Sequence, residues 1–88
     1  MKVEFRESFL KDLRNIKNTK LLAKVKKSVE NAELADIPQQ ISNFKKLKGY
    51  STYFRIKIGE YRVGLIMEND IITFVRILPR KEIYRFFP

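Results

Sequence analysis

The chain has 88 residues, with 19 Lys and Arg against 10 Asp and Glu, no His and no Cys, for a formal net charge of +9. That length holds one domain with a thin core, because a chain this short buries only roughly 60% of the surface it exposes when unfolded. The missing His and Cys exclude disulfides, thiolate metal sites, the usual zinc ligand sets and His-based acid–base pairs, while the positive charge points to a polyanionic partner.

No apolar run approaches the roughly 20 residues that span a bilayer, and Met1 to Arg6 lacks the apolar stretch of a signal peptide. The expectation is a cytoplasmic protein with no membrane association, no metal and no small-molecule cofactor. Its active surface should be an open face rather than an enclosed pocket.

In chain order, Lys2 to Phe5 reads as a short strand with Val3 and Phe5 on one face. Ser8 can cap a helix over Phe9 to Ile16, in which Phe9, Leu13 and Ile16 form an apolar stripe. Asn18 or Thr19 caps a longer helix to about Leu34, with Leu22, Val25, Val29 and Ala32 inward. Its remaining faces carry Lys20, Lys24, Lys26 and Lys27, read as a solvated surface in preference to a nucleic-acid contact. Asp36-Ile37-Pro38 ends the helical half. Ile41 to Gly49 is ambiguous, with Phe44 and Leu47 anchoring a connector or a short strand.

From Tyr53 onward the period becomes two. Phe54 to Ile58, Gly59-Glu60 and Tyr61 to Met67 form a β-hairpin, and Gly at the first turn position suits a type II′ turn. Glu68-Asn69-Asp70 makes the next turn, Ile71 to Leu78 is a final strand, and Pro79 closes it before a short tail. Strand, two helices and a three-stranded antiparallel meander give an α+β domain spanning residues 1–88, with both helices on one face of the sheet and the other face open.

The two-residue turn fixes the hairpin register: Ile58 faces Tyr61, Lys57 faces Arg62, Ile56 faces Val63 and Arg55 faces Gly64. Phe54, Ile56, Val63 and Leu65 then share the core face, and Arg55, Lys57 and Arg62 the opposite one. Any one of these cations fits a solvated sheet face that discourages aggregation. Like charges directly across a hairpin are destabilising, so all three together, with no acidic residue among them, point to an anion site. A three-residue turn at Glu68 to Asp70 would set Arg76 opposite Arg62, whereas a two-residue loop would turn it to the core, which an arginine resists. Arg80, Lys81, Tyr84 and Arg85 follow. Tyr84 suits a core aromatic with a wet hydroxyl or a stacking platform for an unpaired base, and Phe86 and Phe87 are expected to pack.

These residues carry a resemblance. Tyr53 to Val63 resembles the hairpin of the RelE/ParE toxin superfamily, and Val75 to Tyr84 resembles its last strand and tail. Phe44-Lys45-Lys46-Leu47-Lys48-Gly49 is similar to its lead-in, and Phe9-Leu10-Lys11-Asp12-Leu13 to its first helix. The likeness covers nearly the whole chain in order, and the ending Ile83 to Pro88 most resembles archaeal and cyanobacterial RelE-like members.

The resemblance implies a toxin of a type II toxin–antitoxin system, a ribosome-dependent endoribonuclease that cuts mRNA in the ribosomal A site and is silenced by a cognate antitoxin. It places Arg55, Lys57, Arg62, Arg80 and Tyr84 in the active groove; together with the charge pattern above, catalysis is assigned to Lys57, Arg62, Arg80 and Tyr84, and RNA binding to Arg55, Arg76 and Lys81. A histidine that often precedes the tail arginine in the superfamily is Pro79 here, so members using histidine as an acid are poor guides. Without metal, RNA is cut when its own 2′-hydroxyl attacks the adjacent phosphate. Lys57 is the candidate base because the flanking like charges disfavour its protonated form. Arg62 and Arg80 would clamp the phosphate, Arg55 would position the backbone, and the acid is Arg80 or a water. Two rivals remain open: a ParE-type DNA gyrase inhibitor of the same fold, and a non-catalytic nucleic-acid-binding module.

Overall fold

A computed structural model describes residues 1–88. Its elements run β1 (Lys2–Phe5), α1 (Glu7–Arg14), α2 (Thr19–Leu34), a 3-10 turn (Pro38–Gln40), β2 (Phe44–Lys46), β3 (Tyr53–Ile58), β4 (Tyr61–Glu68), β5 (Ile71–Pro79) and α3 (Ile83–Phe86). The class is α+β, as expected, with one five-stranded sheet in the order β1-β5-β4-β3-β2. Two features enlarge the expected meander. The ambiguous Ile41–Gly49 stretch supplies β2, antiparallel to β3, and β1 pairs parallel to β5. No helix is long and apolar enough to cross a membrane.

Helix α2 begins as the sequence predicts, with the Leu21 N–H donating to Asn18 Oδ1 at 3.1 Å. Helix α1 does not: Arg6 is its N-cap and makes no side-chain cap bond. Ser8 instead donates from Oγ to the Val75 carbonyl at 2.6 Å. The reason lies in the sheet. The parallel partner β1 ends opposite Phe74, which leaves the rest of the β5 edge unpaired, and α1 lies along it. The Arg6 N–H donates to the Phe74 carbonyl at 2.9 Å, and the Ile77 N–H donates to Asp12 Oδ2 at 3.0 Å. Side chains of α1 thus satisfy an edge that would otherwise invite pairing with another chain.

The β3–β4 hairpin has the expected register throughout, and Gly59 has the φ of +57° that its turn requires. The β4–β5 turn differs from expectation. Glu68 pairs with Ile71, so the loop is only Asn69-Asp70, both at positive φ (52° and 62°), the pattern of a type I′ turn. A bulge then separates the Leu65–Phe74 pair from the Gly64–Arg76 pair, with Val75 as the extra residue. Buried positions along β5 accordingly step from Ile72 and Phe74 to Ile77.

Phe9, Val25 and Ala32 from the helices meet Ile56, Val63, Leu65, Ile72, Phe74 and Ile77 from the sheet in one core. The opposite face was expected to be open, and is only partly so. The tail folds back over it, burying Ile83 and Phe87. Phe86, expected to pack, stays 54% exposed.

Candidate nucleic-acid interface on the outer face of the sheet

Because the two-residue turn makes Ile58 and Tyr61 the hydrogen-bonded pair, Lys57 and Arg62 form the adjacent non-hydrogen-bonded pair. There the Cα atoms approach to about 4.5 Å and side chains lie closest. One step along, Arg55 is opposite Gly64 on β4, and Lys45 on β2 is opposite Arg55. The outer face thus carries Lys57 beside Arg62 in one row, and Lys45, Arg55, Gly64 and Arg76 in the next.

The turn end of the hairpin is where these groups gather. The Arg62 guanidinium donates from Nη1 to the carbonyls of Gly59 and Tyr61, both at 2.9 Å. The Arg80 backbone N–H donates to the Glu60 carbonyl at 2.8 Å, which brings Arg80 to the same end. Its Nε lies 3.1 Å from Glu60 Oε2, with both side chains largely exposed. An exposed pair of this kind is worth about 0.2–1 kcal/mol, so an incoming anion can take Arg80 from Glu60 easily. Lys57 is exposed and in no ion pair. Arg55 donates weakly, at 3.3 Å, to the Asn43 carbonyl.

Arg76 follows neither expected course. The loop has two residues, yet the bulge at Val75 reverses the alternation, so Arg76 faces outward opposite Gly64 rather than Arg62. Its guanidinium is bound at the β5 edge by Asp12, Nε to Oδ2 at 2.7 Å and Nη2 to Oδ1 at 3.0 Å. It also lies 5.2 Å from the centre of the Phe86 ring. Hydrogen bonding to Asp12 raises its pKa, against the opposing effect of burial. Arg76 therefore ties α1, β5 and the tail together, with its charge paired to Asp12.

Gly64 is small for a reason the sequence does not reveal. A Cβ there would stand 2.5 Å from the Phe87 ring, which occupies the middle of the face. Phe87 also meets Tyr53 edge to face at 5.5 Å. One helical turn is too short to hold itself, so this contact and the burial of Ile83 dock α3. Tyr84, on α3, is 55% exposed and lines a shallow cavity with Lys48, Tyr50 and Phe87. It lies toward the Tyr53 end of β3, away from the turn end that gathers Lys57, Arg62 and Arg80. Lys81 is exposed and in no ion pair.

Sequence reasoning missed Lys45, which the β2–β3 register sets beside Arg55, and Tyr50, which is 46% exposed beside Tyr84. Both lie in or next to the lead-in segment, where the only available signal was a run of lysines and aromatics. It also missed that Glu60 places one carboxylate at the basic cluster.

Comparison with known proteins gives a consistent answer. A family model described as "ParE toxin of type II toxin-antitoxin system, parDE" matches residues 3–84. Toxin RelE3 of Methanocaldococcus jannaschii is 37% identical over 89 residues, spanning 100% of both chains. Among solved structures, the RelB–RelE antitoxin–toxin complex from Methanococcus jannaschii matches with a TM-score of 0.81 and 34% identity, covering 97% of this chain and 99% of that one. The archaeal RelE–RelB complex from Pyrococcus horikoshii matches at 0.72 over 90% and 93% of the two chains, and its 19% identity speaks for the fold alone.

Proposed function

The chain belongs to the RelE/ParE toxin family of type II toxin–antitoxin systems, and on that premise we propose that it is a metal-independent endoribonuclease that cuts mRNA in the ribosomal A site and so stops translation. The observation that carries this reading is the convergence of Lys57, Arg62 and Arg80 at the turn end of the hairpin, on a face where Lys57 has no acidic partner.

In the proposed reaction Lys57 takes the proton of the 2′-hydroxyl as that oxygen bonds to the adjacent phosphorus. Arg62 and Arg80 neutralise the charge that builds on the phosphoryl oxygens. The bond from phosphorus to the 5′ oxygen breaks, leaving a 2′,3′-cyclic phosphate, and the leaving oxygen takes a proton from Arg80 or a bound water. Arg55 and Lys45 hold the flanking backbone, Lys81 adds a further cation, and Tyr84 with Tyr50 offers faces on which a base can stack. The face is shallow and has no enclosing wall, so the ribosome would supply the substrate orientation, a contribution that reaches several kcal/mol.

The partner we infer is a cognate antitoxin, since the Methanococcus jannaschii relative was solved as a RelB–RelE complex. An acidic or amphipathic segment wrapping the domain would cover the basic face.

The test is primer-extension mapping of an mRNA on translating ribosomes, with the purified chain and with Arg62→Ala. Cuts that need both the ribosome and Arg62 establish the activity at this face. The ParE description of the matching family model keeps a gyrase inhibitor as the second reading. A folded, antitoxin-free preparation that makes no cuts but traps gyrase on DNA would decide for it. Salt-sensitive binding with neither activity would leave the non-catalytic module.

A further inference from the structure

Resting on the RNA-directed reading above, we propose that the cavity between α2 and the β3 edge is a second phosphate-binding site, which holds the backbone of the bound RNA strand beyond the scissile position. The cavity encloses about 480 Å³ and is open to solvent. Lys24, Lys27, Ser28 and Asn31 of α2 line it together with Ser42 and the β3 edge at Lys57. Spacings of three and four residues put that α2 set on one stripe of the helix, beside the inward Val25 and Ala32.

Several independent features suit an anion. No carboxylate lines the cavity, and neither Lys24 nor Lys27 is in an ion pair. The Asn31 carboxamide is oriented by the Ser42 N–H, which donates to its Oδ1 at 2.9 Å, leaving the Nδ2 donors uncommitted. Strand β2 covers β3 only as far as Ile56. The ladder alternation directs the N–H of Lys57 away from β4 and toward this uncovered edge. A phosphate in the cavity would thus meet two ammonium groups, an amide, two hydroxyls and a backbone donor. Lys57 belongs both to the cavity wall and to the basic face, so one strand can run from the reaction site into the cavity. The lysines of α2, which in the sequence look like a solvated surface, are by this reading divided: Lys24 and Lys27 bind, while Lys20 and Lys26 only solvate.

The experiment measures binding rather than cleavage, using a labelled single-stranded oligonucleotide with 2′-O-methyl groups, which cannot be cut, over a series of salt concentrations. The chain is compared with Lys24→Ala/Lys27→Ala and with Lys20→Ala/Lys26→Ala, which removes the same charge from the same helix outside the cavity. Each lost phosphate contact lowers the slope of log K against log salt by about 0.7 for single strands. The cavity double variant, which gives up the one phosphate held there, should therefore lose about 0.7 in slope, and the control should keep the slope of the unaltered chain. Equal losses in both variants, or none in either, would overturn the site. Inorganic phosphate at matched ionic strength is the second probe: displacement of its signal by the oligonucleotide supports an RNA site. An NMR response of the cavity to phosphate but not to the oligonucleotide overturns the RNA assignment. Because the oligonucleotide is inert, absence of mRNA cutting on ribosomes sinks the interferase reading without touching this result.

Discussion

The ring of Phe87 rests on Gly64, so closely that a single added Cβ would come within 2.5 Å of it. Across the ladder from Gly64 lie Arg55 on one side and Arg76 on the other. The contact therefore sets where the tail, with Arg80 at its start and Tyr84 on α3, stands relative to the basic face. Gly64→Ala should expel the ring and cost about 1–3 kcal/mol, the usual range for overpacking. Urea unfolding gives the cost. Hydrogen exchange should show the amides of residues 83–87 losing protection while the β3–β4 hairpin keeps its own, and equal loss in both would contradict this account.

Asp12 serves two donors at once, the Arg76 guanidinium and the Ile77 N–H. Asp12→Ala leaves both without a partner in a half-buried place, and we expect a loss of about 2–4 kcal/mol. Adding Arg76→Met should recover part of it, since the remaining cation is then gone. The guanidinium's pKa is raised, so the stability it lends is full below its ordinary value and fades only as pH climbs through the raised one. Titration of Arg76 therefore changes nothing between neutrality and moderate alkalinity. A chemical denaturation series for the two single variants and the double checks the coupling.

Glu60→Gln removes the carboxylate beside Arg80. The pair is exposed, so stability should move by no more than about 1 kcal/mol. Binding of single-stranded RNA should tighten at low salt and converge on the unaltered chain at high salt. Weaker binding would mean that Glu60 orients Arg80 rather than competing for it.

Lys45→Ala tests the row across the sheet. Lys45 is exposed on the short strand β2 and opposite Arg55, so its loss should leave the melting temperature within about 2 °C, as for a surface change of under 0.5 kcal/mol. The salt slope for RNA should fall by about 0.7. An unchanged slope would remove β2 from the interface.

Catalytic assignments separate from binding ones by magnitude. Lys57→Ala and Arg62→Ala should each lower ribosome-dependent cutting by about 10²–10⁴-fold with little change in stability, because both side chains lie outside the core. Arg62→Lys should not restore the rate if the planar guanidinium is what the phosphate requires. A loss below tenfold in either alanine variant would move the reaction elsewhere on the face.

The sequence by itself determined what is local. A two-residue Gly59-Glu60 turn between alternating segments dictates which side chains share a face, so Arg55, Lys57 and Arg62 were placed correctly from spacing alone. The Asn18 cap and the inward stripe of α2 were legible for the same reason, since each depends on residues within a turn or two. Only the tertiary structure decided the rest. Whether Ser8 caps a helix or bonds Val75 depends on an edge of β5 that β1 leaves uncovered. The side to which Arg76 points depends on a bulge at Val75 that no local pattern announces. The size of residue 64 depends on a ring 23 positions away in the chain, and the cavity lined by Lys24 and Lys27 depends on where β2 stops along β3. In each case the deciding partner is distant in sequence, and the energy that selects it comes from packing and from satisfying backbone groups that exist only once the sheet has formed.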